Sequence, residues 1–350
     1  MLSLFSSLYG KIADARNRLY DRGIFESYNL GARVVSIGNI TTGGTGKTPL
    51  VAYVANILAE RGEKVCILTR GYGRKDPKNR ILVSDGESIL ATAIESGDEP
   101  FELASKLRVK AIVIADSDRV AAAEWAKRRF GVTAFVLDDG FQHRKAKRDV
   151  DIVCIDATNP FGGGKMLPAG RLREPLHNLS RANVVVVTRA DLVEDISELK
   201  FEISNLAPDA AVFVANNKIE RIFGLEEFIA KTQRPQSENK EEKASVAGIG
   251  SIGSRSVFAF CGLGNPENFF ELLRRDQIEI VGTSPFRDHH IYSQKDIEKI
   301  ESEAKNSGAE VLLTTAKDAV KLSDFKFEMD CFVVEIAMVV NEPEKLAKLL

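Results

Sequence analysis

Ile37-Gly38-Asn39-Ile40-Thr41-Thr42-Gly43-Gly44-Thr45-Gly46-Lys47-Thr48-Pro49 decides how this chain is read. Val34 to Ile37 supply an apolar strand before it, and Leu50, Val54, Ile57 and Leu58 recur at helical spacing after it. Glycines at 43, 44 and 46 let successive backbone N–H groups converge on phosphate oxygens, which a Cβ would obstruct. The helix that starts near Thr48 adds its positive dipole end. Lys47 can then reach the β- and γ-phosphates, and the Thr48 hydroxyl can ligate Mg²⁺. The stretch from Thr41 to Thr48 (Thr41, Thr42, Gly43, Gly44, Thr45, Gly46, Lys47, Thr48) therefore reads as a nucleoside-triphosphate site. A strict phosphate-loop pattern would have glycine where Thr41 stands.

Working outward, short Val/Ile-rich runs alternate with helical patterns: Val65 to Thr69, Ala111 to Ala115, Ala134 to Leu137, Ile152 to Ile155 and Val184 to Thr188. Runs apolar on both faces and separated by helices mean a parallel sheet covered on both sides. A second α/β set follows, with Val212 to Ala215, Val257 to Cys261, Val311 to Thr314 and Phe332 to Ile336. The expected architecture is a P-loop NTPase-like α/β/α domain over 31–205 and a smaller α/β domain over 206–350. The polar stretch 232–256 reads as a mobile surface insertion, and no chemistry is assigned to it.

At 350 residues the chain is long for one core, which also argues for two domains. With 44% hydrophobic and 28% charged residues it reads as an ordinary globular chain. A formal net charge of -2 and the lack of a long basic run argue against a nucleic-acid partner. Cys66, Cys154, Cys261 and Cys331 lie far apart inside apolar runs, as expected of buried reduced thiols. No apolar run approaches the ~20 residues needed to span a bilayer, and the first residues lack the pattern of a signal peptide.

Residues 1–30 carry a different signal. Phe5, Leu8, Tyr9, Ile12 and Leu19 fall on one helical face, with Lys11, Arg16, Arg18 and Arg22 available to the other. Two arrangements share this pattern: a helix lying on an anionic membrane surface, and one packed on its own domain.

The second half of the triphosphate site is expected where Ala134-Phe135-Val136-Leu137 ends in Asp138-Asp139-Gly140. Ligands bind at the carboxyl edge of open α/β sheets, and a carboxylate there can hold Mg²⁺ beside Thr48. Gln142 and His143 follow into the same crevice. Asp98, in Gly97-Asp98-Glu99-Pro100, suits either a helix cap or a general base. Asp288-His289-His290 sits in a loop without a third ligand for zinc, yet an aspartate held by a histidine can serve as general base. Arg171 and Arg173, in Leu167-Pro168-Ala169-Gly170-Arg171-Leu172-Arg173-Glu174-Pro175, suit phosphate because the guanidinium fork makes paired charge-assisted bonds. Arg70-Gly71-Tyr72-Gly73-Arg74 and Arg119 invite the same reading.

Together with Leu19-Tyr20-Asp21, these blocks stand in the order in which they occur in the tetraacyldisaccharide 4′-kinase family, the lipid A 4′-kinases of Gram-negative envelopes, which the chain resembles over most of its length. Thr41 in place of glycine matches that family's own form of the loop. The resemblance implies two α/β/α domains with the site in the cleft between them. It implies transfer of the γ-phosphate of ATP, with Mg²⁺, to the 4′-hydroxyl of a tetraacyldisaccharide 1-phosphate, giving lipid IVA. By position, Lys47 and Thr48 then serve ATP and Mg²⁺, Asp138 is a magnesium ligand, and Asp98 with His289 forms the base dyad. Asp139 joins the catalytic set, while Arg119, Gln142, His143, Arg173 and Glu174 line the cleft; Tyr72, Glu99 and Arg171 are assigned with them to the substrate. Whether Asp98 or Asp139 accepts the hydroxyl proton is left open by the residues. The resemblance also implies that the amphipathic helix seats the enzyme on the cytoplasmic face of the inner membrane, with no obligate protein partner inferred. Arg287 departs from the proline common in the family, with the Asp288-His289 pair kept.

Two other classes share parts of this pattern. Partition- and chaperone-type ATPases use the same loop, but carry a lysine where Thr42 stands. A GTP-dependent binding module would use a Thr-Lys-x-Asp stretch, of which Thr188-Arg189-Ala190-Asp191 is a weak echo.

Overall fold

The computed structural model describes residues 2–74, 76–108, 110–233, 252–288 and 290–350. His289 and most of the polar stretch expected as an insertion, 234–251, lie outside the described residues. The strands are β1 (Arg33–Asn39), β2 (Val65–Thr69), β3 (Ile81–Ser84), β4 (Ala111–Ala115), β5 (Ala134–Asp138), β6 (Val150–Asp156), β7 (Val184–Thr188), β8 (Ala211–Gly224), β9 (Val257–Cys261), β10 (Ile280–Pro285), β11 (Val311–Thr315) and β12 (Cys331–Val340). They form one sheet in the order β10-β9-β11-β12-β8-β7-β6-β1-β5-β2-β4-β3.

β2, β4, β5, β6 and β7 are buried along their whole length, as strands covered on both faces must be. β1 pairs in parallel with β5 on one side and β6 on the other. The chain therefore crosses β1 between β5 and β6. A crevice opens at such a switch point, beyond the carboxyl ends of the strands.

β8 carries the sheet from one half of the molecule to the other. Its first residues, Ala211 to Ala215, pair in parallel with β7, and Ala215 to Gly224 pair antiparallel with β12. β12 in turn gives Cys331 to Val334 to β11. The middle of β8 and the end of β12 thus form a two-stranded ribbon between two wider sheet regions. Since β9, β10 and β11 run parallel to β12, the second region runs opposite to the first.

Each region has its own apolar layers. On one face of the first, helix 47–60 packs Leu50, Val51, Val54 and Leu58 against Val35, Ile67, Val113 and Val136. On the other, helix 119–130 covers Leu68, Ile114, Phe135 and Leu137. The second region buries Phe269, Phe270 and Leu273 on one face and Phe260, Ile297, Ile300 and Leu312 on the other. The end of the chain returns to the first region, where Met338, Val340, Leu346 and Leu350 join the layer of helix 47–60.

The amino-terminal helix, Leu2–Asp21, is packed the opposite way round from an ordinary amphipathic helix. Its inward residues are Ser6, Gly10 and Asn17. Gly10 lies on Met166, the Ser6 hydroxyl accepts the Ala169 N–H at 3.0 Å, and the Asn17 amide donates to Glu174 at 2.8 Å. The apolar residues Leu2, Leu4, Phe5, Leu8, Tyr9 and Ile12 face outward and are exposed. Among the described residues no helix is long and apolar enough to cross a membrane.

Candidate active site

The phosphate loop leaves β1 at Asn39 and enters helix 47–60 through Gly46, whose φ of 80° is left-handed. No side chain caps the helix. Its first N–H groups thus point into the loop with only the backbone around them, the arrangement that binds phosphate. The loop is held from three directions. The Asn39 amide donates to Thr45 Oγ1 at 3.1 Å, the Thr188 hydroxyl donates to the Thr45 carbonyl at 2.8 Å, and the Thr42 N–H donates to the Arg171 carbonyl at 2.8 Å. Thr41 is buried and bridged to Leu172. The exposed Arg171 places its guanidinium over Gly43. At Gly38 a Cβ would lie 2.6 Å from Phe141 Cβ, so only glycine lets β1 pass the turn that carries the acidic pair.

Asp138 and Asp139 lie in that turn and have opposite environments. The Thr69 hydroxyl donates to Asp138 Oδ2 at 2.8 Å, and the Arg119 guanidinium donates to the Asp138 main-chain carbonyl at 2.7 Å. Burial, together with Glu99 and Asp139 nearby, pushes the Asp138 carboxyl up to about 6, against the pull of Lys47 and Thr69. Asp139 adopts a φ of 50° and receives both arms of the Arg173 fork, at 2.6 and 2.9 Å. Lys47 Nζ stands 3.7 Å from the same carboxylate. Burial raises the Asp139 carboxyl, but Arg173 and Lys47 prevail and hold it at about 2. A carboxylate so paired is a poor proton acceptor at neutral pH.

The other residues singled out in the sequence divide between the crevice and its supports. Glu174 is 2% exposed and accepts from Asn17, Gln142 and Arg181 at 2.7 to 2.8 Å. Gln142 also donates to the Asn39 carbonyl at 2.9 Å, so these two side chains join the amino-terminal helix to the end of β1. His143 is half-buried; burial, with Arg119 and Arg148 nearby, pulls its imidazole down to about 4 and keeps it neutral. Tyr72 is exposed, on a turn packed directly against Ser96 and Gly97. All four cysteines are buried free thiols. Among the described residues no cluster of three or more His, Cys, Asp or Glu could hold a metal by itself.

Asp98 opens helix Asp98–Lys106, and Gly97 rather than Asp98 occupies the cap position. Its carboxylate meets the second region: Lys321 Nζ lies 2.9 Å from Asp98 Oδ2. Lys317, one helical turn earlier, pairs with Asp288 at 2.9 Å. The Asp98 and 288–290 blocks, far apart in sequence, are therefore brought to one short segment. Thr69, Asn39, Thr188, Lys317 and Lys321 all shape this site and escaped the reading of the sequence. One signal was available for the last two: they follow Thr314-Thr315 at the carboxyl end of a buried strand, the same position that identified Asp138.

Comparison with known proteins bears on this crevice directly. The family model described as tetraacyldisaccharide-1-P 4′-kinase matches residues 1–350. The chain belongs to this kinase family. Its relatives include the tetraacyldisaccharide 4′-kinases of Halothermothrix orenii, 38% identical over 92% of this chain and 83% of that one, and of Desulfotalea psychrophila, 35% identical over 93% and 89%. A crystal structure of the Aquifex aeolicus member, described as an "apo" form in complex with ATP, superposes with a TM-score of 0.77 at 31% identity. It covers 99% of this chain and 96% of that one. This match in sequence and fold displaces the switch-ATPase and GTP-module readings. In the weak guanine-like stretch, moreover, Arg189 pairs with Asp156 and Asp191 with Arg275.

Proposed function

We propose that this crevice transfers the γ-phosphate of ATP to the 4′-hydroxyl of a tetraacyldisaccharide 1-phosphate, with Asp98 as the proton acceptor. The membership of the kinase family supports the reaction. The observation that carries the residue assignment is the uncapped helix start at Lys47, which shares one crevice with a buried Asp138 and a doubly clamped Asp139.

In this reading the backbone from Thr41 to Gly46 cradles the phosphates, and Lys47 moves from Asp139 toward the β- and γ-oxygens. The donors suit a magnesium ion: the Thr48 hydroxyl and the Asp138 carboxylate are hard oxygen ligands. The carboxylates of Asp138, Asp139 and Glu99 also crowd together enough to raise the Asp138 carboxyl, a repulsion that a divalent cation would relieve. When bound, the ion neutralises charge on the phosphates. Asp139 acts as the anchor that holds Lys47 and Arg173 in place, because its carboxylate is already committed to them. Asp98 removes the proton as the hydroxyl oxygen bonds to phosphorus, while the bond from phosphorus to the β,γ-bridging oxygen breaks and ADP leaves with the electron pair. His289, next to Asp288 in sequence, is assigned as the partner of Asp98.

The inverted amino-terminal helix supports the placement of the substrate. A lipid acceptor keeps its acyl chains in a bilayer, and an outward apolar face flanked by Lys11, Arg16 and Arg18 suits the surface of an anionic membrane. The enzyme then works as a peripheral protein on the cytoplasmic face of the inner membrane.

Two variants test the assignment. Asp98→Ala lowers kcat by about 10² to 10⁴-fold and leaves ATP affinity nearly intact, the loss expected when a positioned base is removed. Lys47→Ala damages both. Equal loss of ATP binding in the two variants would remove Asp98 from the base role.

A further inference from the structure

We propose that Lys321 is a positioning residue for the phosphoryl transfer, fixing the Asp98 carboxylate against the second region of the sheet; this rests on the reading of Asp98 as the base.

The ammonium of Lys321 meets three oxygens from separate parts of the chain. Asp98 Oδ2 lies at 2.9 Å, the His290 main-chain carbonyl at 3.2 Å and Asp318 Oδ1 at 3.7 Å. The three N–H donors of a lysine are thereby engaged. The Lys321 and Asp98 side chains are only 11% and 16% exposed, so little water competes for the pair. An exposed ion pair would carry little such weight.

The placement of Lys321 is built into the fold. Asp318 is fully buried, accepts the Gly262 N–H at 3.0 Å and the Thr315 hydroxyl at 2.7 Å, and returns its own N–H to Thr315 Oγ1. This ties the turn after β11 to the end of β9. Lys321 stands one turn further on, with its charge facing the Asp318 carboxylate. Lys317, on the same helical face, fixes Asp288. The two lysines thus connect loop 287–290 to the start of helix 98–106, each from its own carboxylate.

Loss of Lys321 leaves Asp98 attached only to the first region, free to turn away from the hydroxyl it must deprotonate. Misplacement of a reacting group by about 1 Å can cost on the order of 10²-fold in rate. ATP is bound at the other end of the crevice and does not depend on this contact.

The test is a double-mutant cycle on the full chain with ATP and dispersed tetraacyldisaccharide 1-phosphate, measuring kcat, KM for ATP and Tm. The expected result is a loss of about ten- to 100-fold in kcat for Lys321→Met, with KM for ATP changed less than about threefold. Asp98→Ala with Lys321→Met should be no slower than Asp98→Ala alone. Lys321→Arg should retain more turnover than Lys321→Met, because it keeps the charge. Should Lys321→Met lose its cooperative melt, Lys321→Gln replaces it, keeping a donor for the His290 carbonyl while removing the charge. Unchanged kcat in the folded neutral variant, or losses that multiply in the double variant, would overturn the proposal. Full turnover by Asp98→Ala alone would overturn the base assignment and the role of Lys321 with it, a failure distinct from the first two.

Discussion

The double variant Leu8→Ser/Ile12→Ser should release the protein from anionic vesicles without unfolding it. Leu8 is 55% exposed and Ile12 60%, one turn apart on the outward face of the amino-terminal helix. Full burial of such a side chain is worth about 1.5 to 3 kcal/mol, so each has roughly 1 to 1.5 kcal/mol left to gain in the acyl boundary. Removing both should weaken partitioning by about 2 to 3 kcal/mol, or roughly 30- to 150-fold. The fold has little to lose, since substitutions at exposed sites cost within about 0.5 kcal/mol. The assay is sedimentation with extruded vesicles of phosphatidylglycerol and phosphatidylethanolamine, with Tm measured in parallel. Asn17→Ala on the inward face is the opposite control. It strips one donor from buried Glu174 and should cost about 1 to 3 kcal/mol of stability, with vesicle binding kept by the folded fraction. Unchanged pelleting of Leu8→Ser/Ile12→Ser would refute the membrane-facing assignment. A large fall in its Tm would mean that these side chains are packed rather than outward.

Three other changes follow from the site. Gly38→Ala forces a Cβ to 2.6 Å from Phe141 Cβ and 2.7 Å from its backbone nitrogen; Tm and kcat should fall together as the Asp138–Gly140 turn is displaced, and an unchanged Tm would contradict the close approach. Arg173→Met leaves Asp139 with Lys47 as its remaining printed cation, so Lys47 is held back from the nucleotide; KM for ATP should rise, and calorimetric ATP affinity equal to wild type would count against the anchor role. His143 is neutral in the fold because its imidazole is pulled down to about 4 from an ordinary value of 6.5. Below about pH 6.5 the unfolded chain takes up a proton that the folded chain refuses, so His143 costs stability as pH falls toward the folded value. Melting His143→Gln between about pH 7 and pH 5 should show a smaller acid loss than in wild type, and identical losses would sink that assignment.

The loop from Ile37 to Pro49 and the Asp138 turn were legible because each is a local pattern, a strand end followed by residues whose chemistry points one way. β8 shows the limit. Only Val212 to Ala215 reads as a strand from its composition, yet the strand runs on through Asn216-Asn217-Lys218-Ile219-Glu220-Arg221. That part pairs only with β12 and lies in a two-stranded ribbon, so it is not buried on both faces and carries no apolar run. β3 and β10 escaped for a related reason: both are sheet edges with mixed burial. The amino-terminal helix was legible as amphipathic, but its direction was not. Ser6, Gly10 and Asn17 face inward because their small size and amide chemistry match Met166, Ala169 and Glu174, which are well over a hundred residues away. Lys321 and Asp98 are likewise far apart in the chain, and neither spacing nor composition announces an ion pair between them.

The account stands or falls on where the γ-phosphate goes. γ-Labelled ATP with Mg²⁺ and detergent-dispersed tetraacyldisaccharide 1-phosphate should place the label in the lipid as a 4′-phosphate, and Lys47→Ala should abolish it. Release of labelled inorganic phosphate at the same rate with and without acceptor, and no label in the lipid, would contradict it.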